Sequence, residues 1–179
     1  STGAYIPPTR LPLSAPSGRP TREGAPEKAV AWNDEDSVTM GVSAAVHCLE
    51  GLPRQQVDSV LFASTTHPFK EKQASALIAR ALDLRRDVQT ADHAGSLRAG
   101  TVALRAAVDA VTAGSAESVL VIASDCRMGA PGSGLELNFG DGAAAFLVGK
   151  GKPIATLESC YAVTDEIVDL WRSDGDPFV

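Results

Sequence analysis

The chain has 179 residues, 44% of them hydrophobic and 21% charged, and a net charge of −6. This is ordinary globular composition, in a length that suits one domain with a real core. The acidic balance and the absence of any Lys/Arg run exclude a nucleic-acid footprint, and no apolar run approaches the roughly 18–20 residues of a membrane helix. The three cysteines, Cys48, Cys126 and Cys160, and the three histidines, His47, His67 and His93, stand at wide, unrelated spacings. That leaves no CxxC site and no zinc or iron ligand set, and it reads as reduced thiols in a cytoplasmic protein. The first residues have neither the basic nor the apolar region of a signal peptide. A start at Ser1 rather than Met implies that at least one residue precedes it.

Taken in order, Gly3-Ala-Tyr-Ile-Pro-Pro ends a short strand and opens a proline-stopped loop. Residues 12–29, rich in Pro, Gly, Ser and charge, are expected to form a long surface loop. Asn33-Asp-Glu-Asp-Ser37 supplies capping and acidic side chains for a helix that buries Val38, Val42, Ala45, Val46 and Leu49. Gly51-Leu52-Pro53 ends that helix. A buried strand is expected over 57–64, a helix over 71–82 and a strand from Asp87 to Ala91. A long amphipathic helix then opens at or near Ser96-Leu97-Arg98 and stops at Gly114. Residues 118–124, SVLVIAS, are the most strand-like of the chain. A Gly/Pro loop over 127–137 and a second buried strand, GAAAFLVG, follow. A further strand over 154–160 and a short helix over 164–171 complete the expectation. Strands alternating with helices define an α/β fold with a mostly parallel sheet covered on both faces.

The stretch from Asp87 to Val111 organises the rest. A strand, a tight polar turn and a long helix present a helix N-terminus, with its unpaired N–H groups and partial positive charge, to whatever lies in front of it. Acyl-transfer enzymes often place a cysteine there, where the local field favours the thiolate. This chain has Leu97.

Four segments in the same order carry a resemblance. GAYIPPTR is similar to a first strand and Pro loop, and Asp34-Glu-Asp-Ser-Val-Thr-Met40 to the start of a first long helix. Asn138-Phe-Gly-Asp-Gly-Ala-Ala-Ala145 is similar to a Gly-Asp-Gly-Ala turn before a last strand, and 159–171 to the segment beyond it. Together the chain resembles the N-terminal half of the thiolase superfamily, in its 3-hydroxy-3-methylglutaryl-CoA synthase-like and ketoacyl synthase III-like branch. The resemblance implies a layered αβα half-domain over residues 1–150. Residues 151–179 would then begin the connection to a missing C-terminal half, which carries the family's catalytic His and its Asn or second His. It also implies a homodimer through the strand around Asp87 to Ala91, and a cytoplasmic role in lipid metabolism. A coenzyme A thioester would be substrate or ligand, with no covalently bound cofactor and no metal. Possible partners are a companion thiolase-like chain and a small zinc-ribbon/OB-fold protein.

In the resembling synthases the elbow reads roughly Ala-Cys-x-(Gly/Ala)-Gly. Here Ser96-Leu97-Arg98-Ala99-Gly100 aligns without a gap and sets Leu97 at the nucleophile. The family's acid/base Glu falls in a segment like Gly-Ser-Glu-Ser-His-Pro. Here Ala63-Ser64-Thr65-Thr66-His67-Pro68 sets Thr65 there. An alkyl group cannot hold an acyl group, and a threonine hydroxyl is a poor proton carrier near neutral pH. No catalytic residue is therefore assigned, and the substrate-pocket candidates are Ser96, Leu97, Arg98, Thr65, Cys126, Gly140 and Asp141. Ser96 reads as an N-cap or as a nucleophile, and Asp92-His93-Ser96 sketches a triad whose members normally come from distant segments. Cys126 reads as a buried thiol or a pocket thiol, and Arg98 as an anion ligand or a solvated side chain. Glycines 129, 132 and 134 are a weak match to a dinucleotide loop. Three functions fit: an acyl-CoA condensing or cleaving enzyme, of acyltransferase or aldolase type, that avoids a cysteine acyl-enzyme; a non-catalytic partner subunit; or a CoA-thioester binding module.

Overall fold

The computed structural model describes residues 1–179 except 19, 21, 170 and 174. In chain order the elements are β1 (Thr2–Tyr5), β2 (Arg10–Pro12), β3 (Glu27–Ala29), α1 (Ser37–Cys48), β4 (Ser59–Ala63), α2 (Ala74–Ala81), β5 (Gln89–His93), α3 (Ala99–Ala113), β6 (Ser118–Asp125), α4 (Gly134–Asn138) and β7 (Gly142–Gly149). Five strands make one sheet in the order β1-β7-β6-β4-β5. β4 runs parallel to β5 and β6, while β7 is antiparallel to both β6 and β1. Four of the five strands therefore share a direction, and the sheet is mostly parallel, as expected.

β4 and β6 are apolar without alternation because both of their faces are covered. Val60, Phe62, Leu120 and Ile122 join the core under α1 and α2, whereas Leu61, Ala63, Val119 and Val121 join the core under α3. The two sets alternate along each strand, as the period of two requires. α1 starts at a capping box: the Asp36 carboxylate accepts from the N–H groups of Val38 (2.9 Å) and Thr39 (2.8 Å), and Thr39 Oγ1 accepts from Asp36 N. β1 lies so close to this helix that a Cβ on Gly3 would stand 2.2 Å from Ala44 O. α3 meets the sheet through Ala99, Ala103, Ala107 and Val111, a stripe at i, i+4 whose small side chains let the backbone approach closely. Its end at Gly114, with φ +78°, is the left-handed stop expected from the sequence.

Several expectations need correction. The 12–29 stretch is not a plain loop: β2 and β3 pair antiparallel in a separate small sheet, with a 3-10 turn at Ala15–Ser17. Within α1 the buried face is Ser37, Val38, Met40, Gly41, Ala44, Ala45 and Cys48, while Val42 is half-buried and Val46 exposed. The helix touches β1, β7, β6 and α2 together, so its buried arc is set by several neighbours rather than one stripe. β5 begins two residues later than expected, since Asp87 is still in the preceding turn with its carboxylate 3.1 Å from Arg85 Nε. α2 starts at Ala74 rather than at 71, because its N–H groups find their acceptor there, as described below. The 127–137 loop runs into the short helix α4.

Neither the strand over 154–160 nor the helix over 164–171 is formed among the described residues. Ile154, Leu157, Tyr161, Val163, Ile167 and Val168 are all exposed, and a short helix without a surface to pack its apolar side against is not stable. Among the described residues no helix is long and apolar enough to cross a membrane.

Candidate active site at the carboxyl ends of the parallel strands

Because β4, β5 and β6 run parallel, the segments that leave them emerge at one end of the sheet, the usual place for a ligand in an open α/β fold. In that register Ala63 stands beside both His93 and Ala123. Two residues further on, Thr65 and Asp125 are neighbours on the α3 side. Asp125 Oδ1 accepts four bonds: from Ser64 Oγ (3.0 Å), Thr65 N (2.7 Å), Thr65 Oγ1 (3.1 Å) and Thr66 Oγ1 (3.0 Å). A second ring supports the first. Thr66 N donates to Ser64 Oγ (2.9 Å), Cys126 N to Thr66 Oγ1 (3.1 Å) and Ser37 Oγ to Thr66 O (2.8 Å). Arg172 Nη2 reaches back from the tail to Thr65 O at 2.6 Å.

The opposite wall is the elbow after β5. Gly95, at φ +74°, makes the turn that a residue with a Cβ adopts only with strain. Ser96 O accepts from Ala99 N (3.0 Å) and Ser96 Oγ from Arg98 N (3.1 Å), so the hydroxyl tightens the turn ahead of the helix. The N-cap position itself is Arg98, which makes no side-chain cap bond, and Ser96 is not the cap. Leu97 is 59% exposed and lies in front of the helix N-terminus. Arg98 is exposed, and its Nη1 reaches Val163 O at 3.4 Å. Between the walls is a cleft of about 300 Å³ lined by Ser64, Thr65, His67, Phe69, Lys70, Ala94 and Gly95. The His67 ring packs edge-on against Phe62 at 5.1 Å, and its Nε2 is buried without a partner among the described residues.

The triad sketch dissolves. Asp92 and His93 are successive strand residues and so face opposite sides of the sheet. The Asp92 carboxylate accepts from Ala74 N (2.6 Å) and Ser75 N (2.8 Å), which makes it the cap of α2. Cys126 packs on the α1 side of the sheet. Burial pushes its thiol pKa up; the neighbouring Asp141 and Asp125 carboxylates add to this and a bond to Thr66 opposes it. The thiol therefore stays protonated near neutral pH and is a poor nucleophile. Gly140 and Asp141 lie at the same end of the sheet, before β7, but do not line the cleft. Asp141 N donates to Ala29 O (3.0 Å) and its carboxylate accepts from Ala31 N (2.8 Å), which bolts the β2–β3 hairpin to the sheet. Burial raises the Asp141 pKa, with the Ala31 bond and Lys28 opposing.

Asp125, Arg172 and His67 were not singled out from the sequence. A carboxylate closing an otherwise apolar strand, SVLVIASD, was the available signal for Asp125, since a strand buried on both faces admits a charge only at its end. Nothing local marks Arg172, whose partner lies 107 residues away.

The chain matches the family model for 3-oxoacyl-[acyl-carrier-protein] synthase III over residues 92–164, which spans the elbow, α3, β6 and β7. It is 35% identical over 150 residues to the hydroxymethylglutaryl-CoA synthase of Pyrococcus furiosus, an alignment covering 82% of this chain and 43% of that protein. With the synthase of Archaeoglobus fulgidus it shares 30% identity over 188 residues, covering 99% of this chain and 54% of that one. A crystal structure of an HMG-CoA synthase complexed with CoA superposes with a TM-score of 0.88 at 22% identity, covering 99% of this chain and 48% of that one. The fold, the elbow and these likenesses together define a member of the thiolase superfamily. The chain spans about half the length of the curated relatives it matches. Within the superfamily it belongs to the hydroxymethylglutaryl-CoA synthase-like and ketoacyl synthase III-like branch, of which it represents the N-terminal half.

Proposed function

We propose that this half-domain belongs to an HMG-CoA-synthase-like enzyme that makes or breaks a carbon–carbon bond in an acyl-CoA by aldol-type chemistry, without a cysteine acyl-enzyme. One observation supports the proposal: the elbow, the clamped strand end and the cleft are all in place. In this reading Leu97 falls at the family's nucleophile position and Thr65 at its acid/base position. Enolate-type chemistry needs a base and donors that stabilise an oxyanion, but no covalent nucleophile. The ligand class is supported by the fold neighbours, one an HMG-CoA synthase complexed with CoA and another in complex with 3-hydroxy-3-methylglutaryl coenzyme A. A second half, in the same chain or a companion, completes the site in this proposal. β5, which among the described residues pairs only with β4, offers its other edge to a second copy in this proposal. A small zinc-ribbon/OB-fold protein belongs to the same proposal as a partner.

The test is turnover of a 3-hydroxyacyl-CoA by protein from the complete reading frame, followed by chromatography of the CoA products. Release of a shortened acyl-CoA together with an aldehyde or ketone supports the enzyme. A second reading, a non-catalytic partner subunit, draws on the exposed apolar side chains of the 151–179 segment, which suit a protein surface. No turnover alone, with turnover restored by a co-purifying thiolase-like chain, supports that reading instead.

A further inference from the structure

We infer that the cleft reads a hydrogen-bond donor on the acyl group of its ligand, and that Thr65 Oγ1 is the atom that receives it. The inference rests on the acyl-CoA reading above and adds what the acyl group must carry. Ser64, Thr65 and Thr66 have one hydroxyl proton each. All three hydroxyls reach one oxygen, Asp125 Oδ1, at 3.0, 3.1 and 3.0 Å. Ser64 Oγ and Thr66 Oγ1 also stand 3.3 Å from each other, where either can donate, whereas the Thr65 proton has Asp125 Oδ1 as its one acceptor among the described residues. With its proton committed there, Thr65 Oγ1 has only lone pairs left to offer. Ser64 Oγ already receives Thr66 N, and Thr66 Oγ1 already receives Cys126 N. Thr65 Oγ1 receives no donor among the described residues, and Thr65 lines the cleft opposite Ala94 and Gly95.

Thr65 also has little freedom to turn into a donor. Its amide is held by the same carboxylate oxygen at 2.7 Å and its carbonyl by Arg172 at 2.6 Å. A ligand carbonyl brought to Thr65 Oγ1 would set two acceptors face to face, whereas a ligand hydroxyl would complete the chain of donors that ends on Asp125. The ligand class that fits is therefore a hydroxyacyl thioester, discriminated from its deoxy analogue. Asp125 is here a positioning residue, because it sets the direction of the Thr65 proton.

The experiment is calorimetric titration of the full-length protein with 3-hydroxybutyryl-CoA and with butyryl-CoA, for the wild type, Thr65→Val and Thr65→Ser. We expect the wild type to prefer the hydroxyacyl ligand by about tenfold, the worth of one well-made hydrogen bond in a partly dry site. Thr65→Val should bind both thioesters alike, and Thr65→Ser should restore the preference. Equal wild-type affinities, or a preference that survives in Thr65→Val, would overturn the inference while leaving the acyl-CoA reading intact. Binding of neither thioester would remove both. Should Thr65→Val fail to fold, the wild-type pair of affinities still decides.

Discussion

The segment leaving β4 and the segment leaving β5 stand side by side at the same end of the sheet, but they are held very differently. Ser64, Thr65 and Thr66 are gathered onto Asp125, backed by Ser37 and crossed by Arg172. Ala94 to Arg98 are all exposed, shaped by a glycine turn and the single bond from Arg98 N to Ser96 Oγ. One wall of the cleft is rigid and sits inside a polar network. The other owes its form to a glycine turn and one short-range serine bond, and its tip is exposed. Leu97 stands exposed at the tip of that wall, where the fold asks little of its side chain. Thr65, by contrast, has its amide and hydroxyl bonded to Asp125 and its carbonyl to Arg172, so its side chain is tied to the arrangement around it.

The contrast can be broken most directly at Asp125. Asp125→Ala leaves three hydroxyls and an amide without their acceptor, and should cost about 3 kcal/mol in a urea unfolding experiment. A loss below about 1 kcal/mol would mean that the β4 wall is not pinned as described. Asp92→Ala, which uncaps α2 but touches neither wall, should cost about 1–2 kcal/mol by the same measurement. Leu97→Ala, at the tip of the open wall, should change stability by no more than about 0.5 kcal/mol. A large effect there would show that the elbow is more tightly packed than its exposure implies.

Two smaller effects concern protons. Because burial raises the Cys126 thiol pKa, its alkylation by iodoacetamide should set in at higher pH than that of a free thiol, followed by peptide mass spectrometry. Asp141 has a folded pKa raised by burial, so its contribution favours the fold below the unfolded carboxyl pKa and is lost as pH rises through the folded one. Asp141→Asn keeps an acceptor for Ala31 N without the charge. It should give a small gain in melting temperature at neutral pH that vanishes below the ordinary carboxylate range.

Much of the fold was legible because its signals are local. The capping run before α1, the apolar β6 and the Gly114 stop each depend on neighbours within a few residues, and each formed as read. The β2–β3 hairpin was missed because its polar, Pro-rich strands are held by long-range bonds: the Asp141 carboxylate accepts from Ala31 N, and the Lys28 ammonium donates to Glu136 O. The expected structure over 154–171 had the right residue pattern but lacks a packing surface within the described chain. In the site, the elbow was readable from spacing, since a strand, a turn and a helix follow one another directly. The Asp125 network was not, because it joins residues about 60 apart through the register of two parallel strands.

The most direct test of a chemistry without an acyl-enzyme is the intact mass of the complete reading-frame product before and after incubation with acetyl-CoA and acetoacetyl-CoA. The expected result is no added acyl group at any time point, with Leu97 unable to carry one and the Cys126 thiol protonated. A stable acyl adduct mapped to Ser96 or Cys126 would contradict the proposal and restore a covalent transferase mechanism at this site.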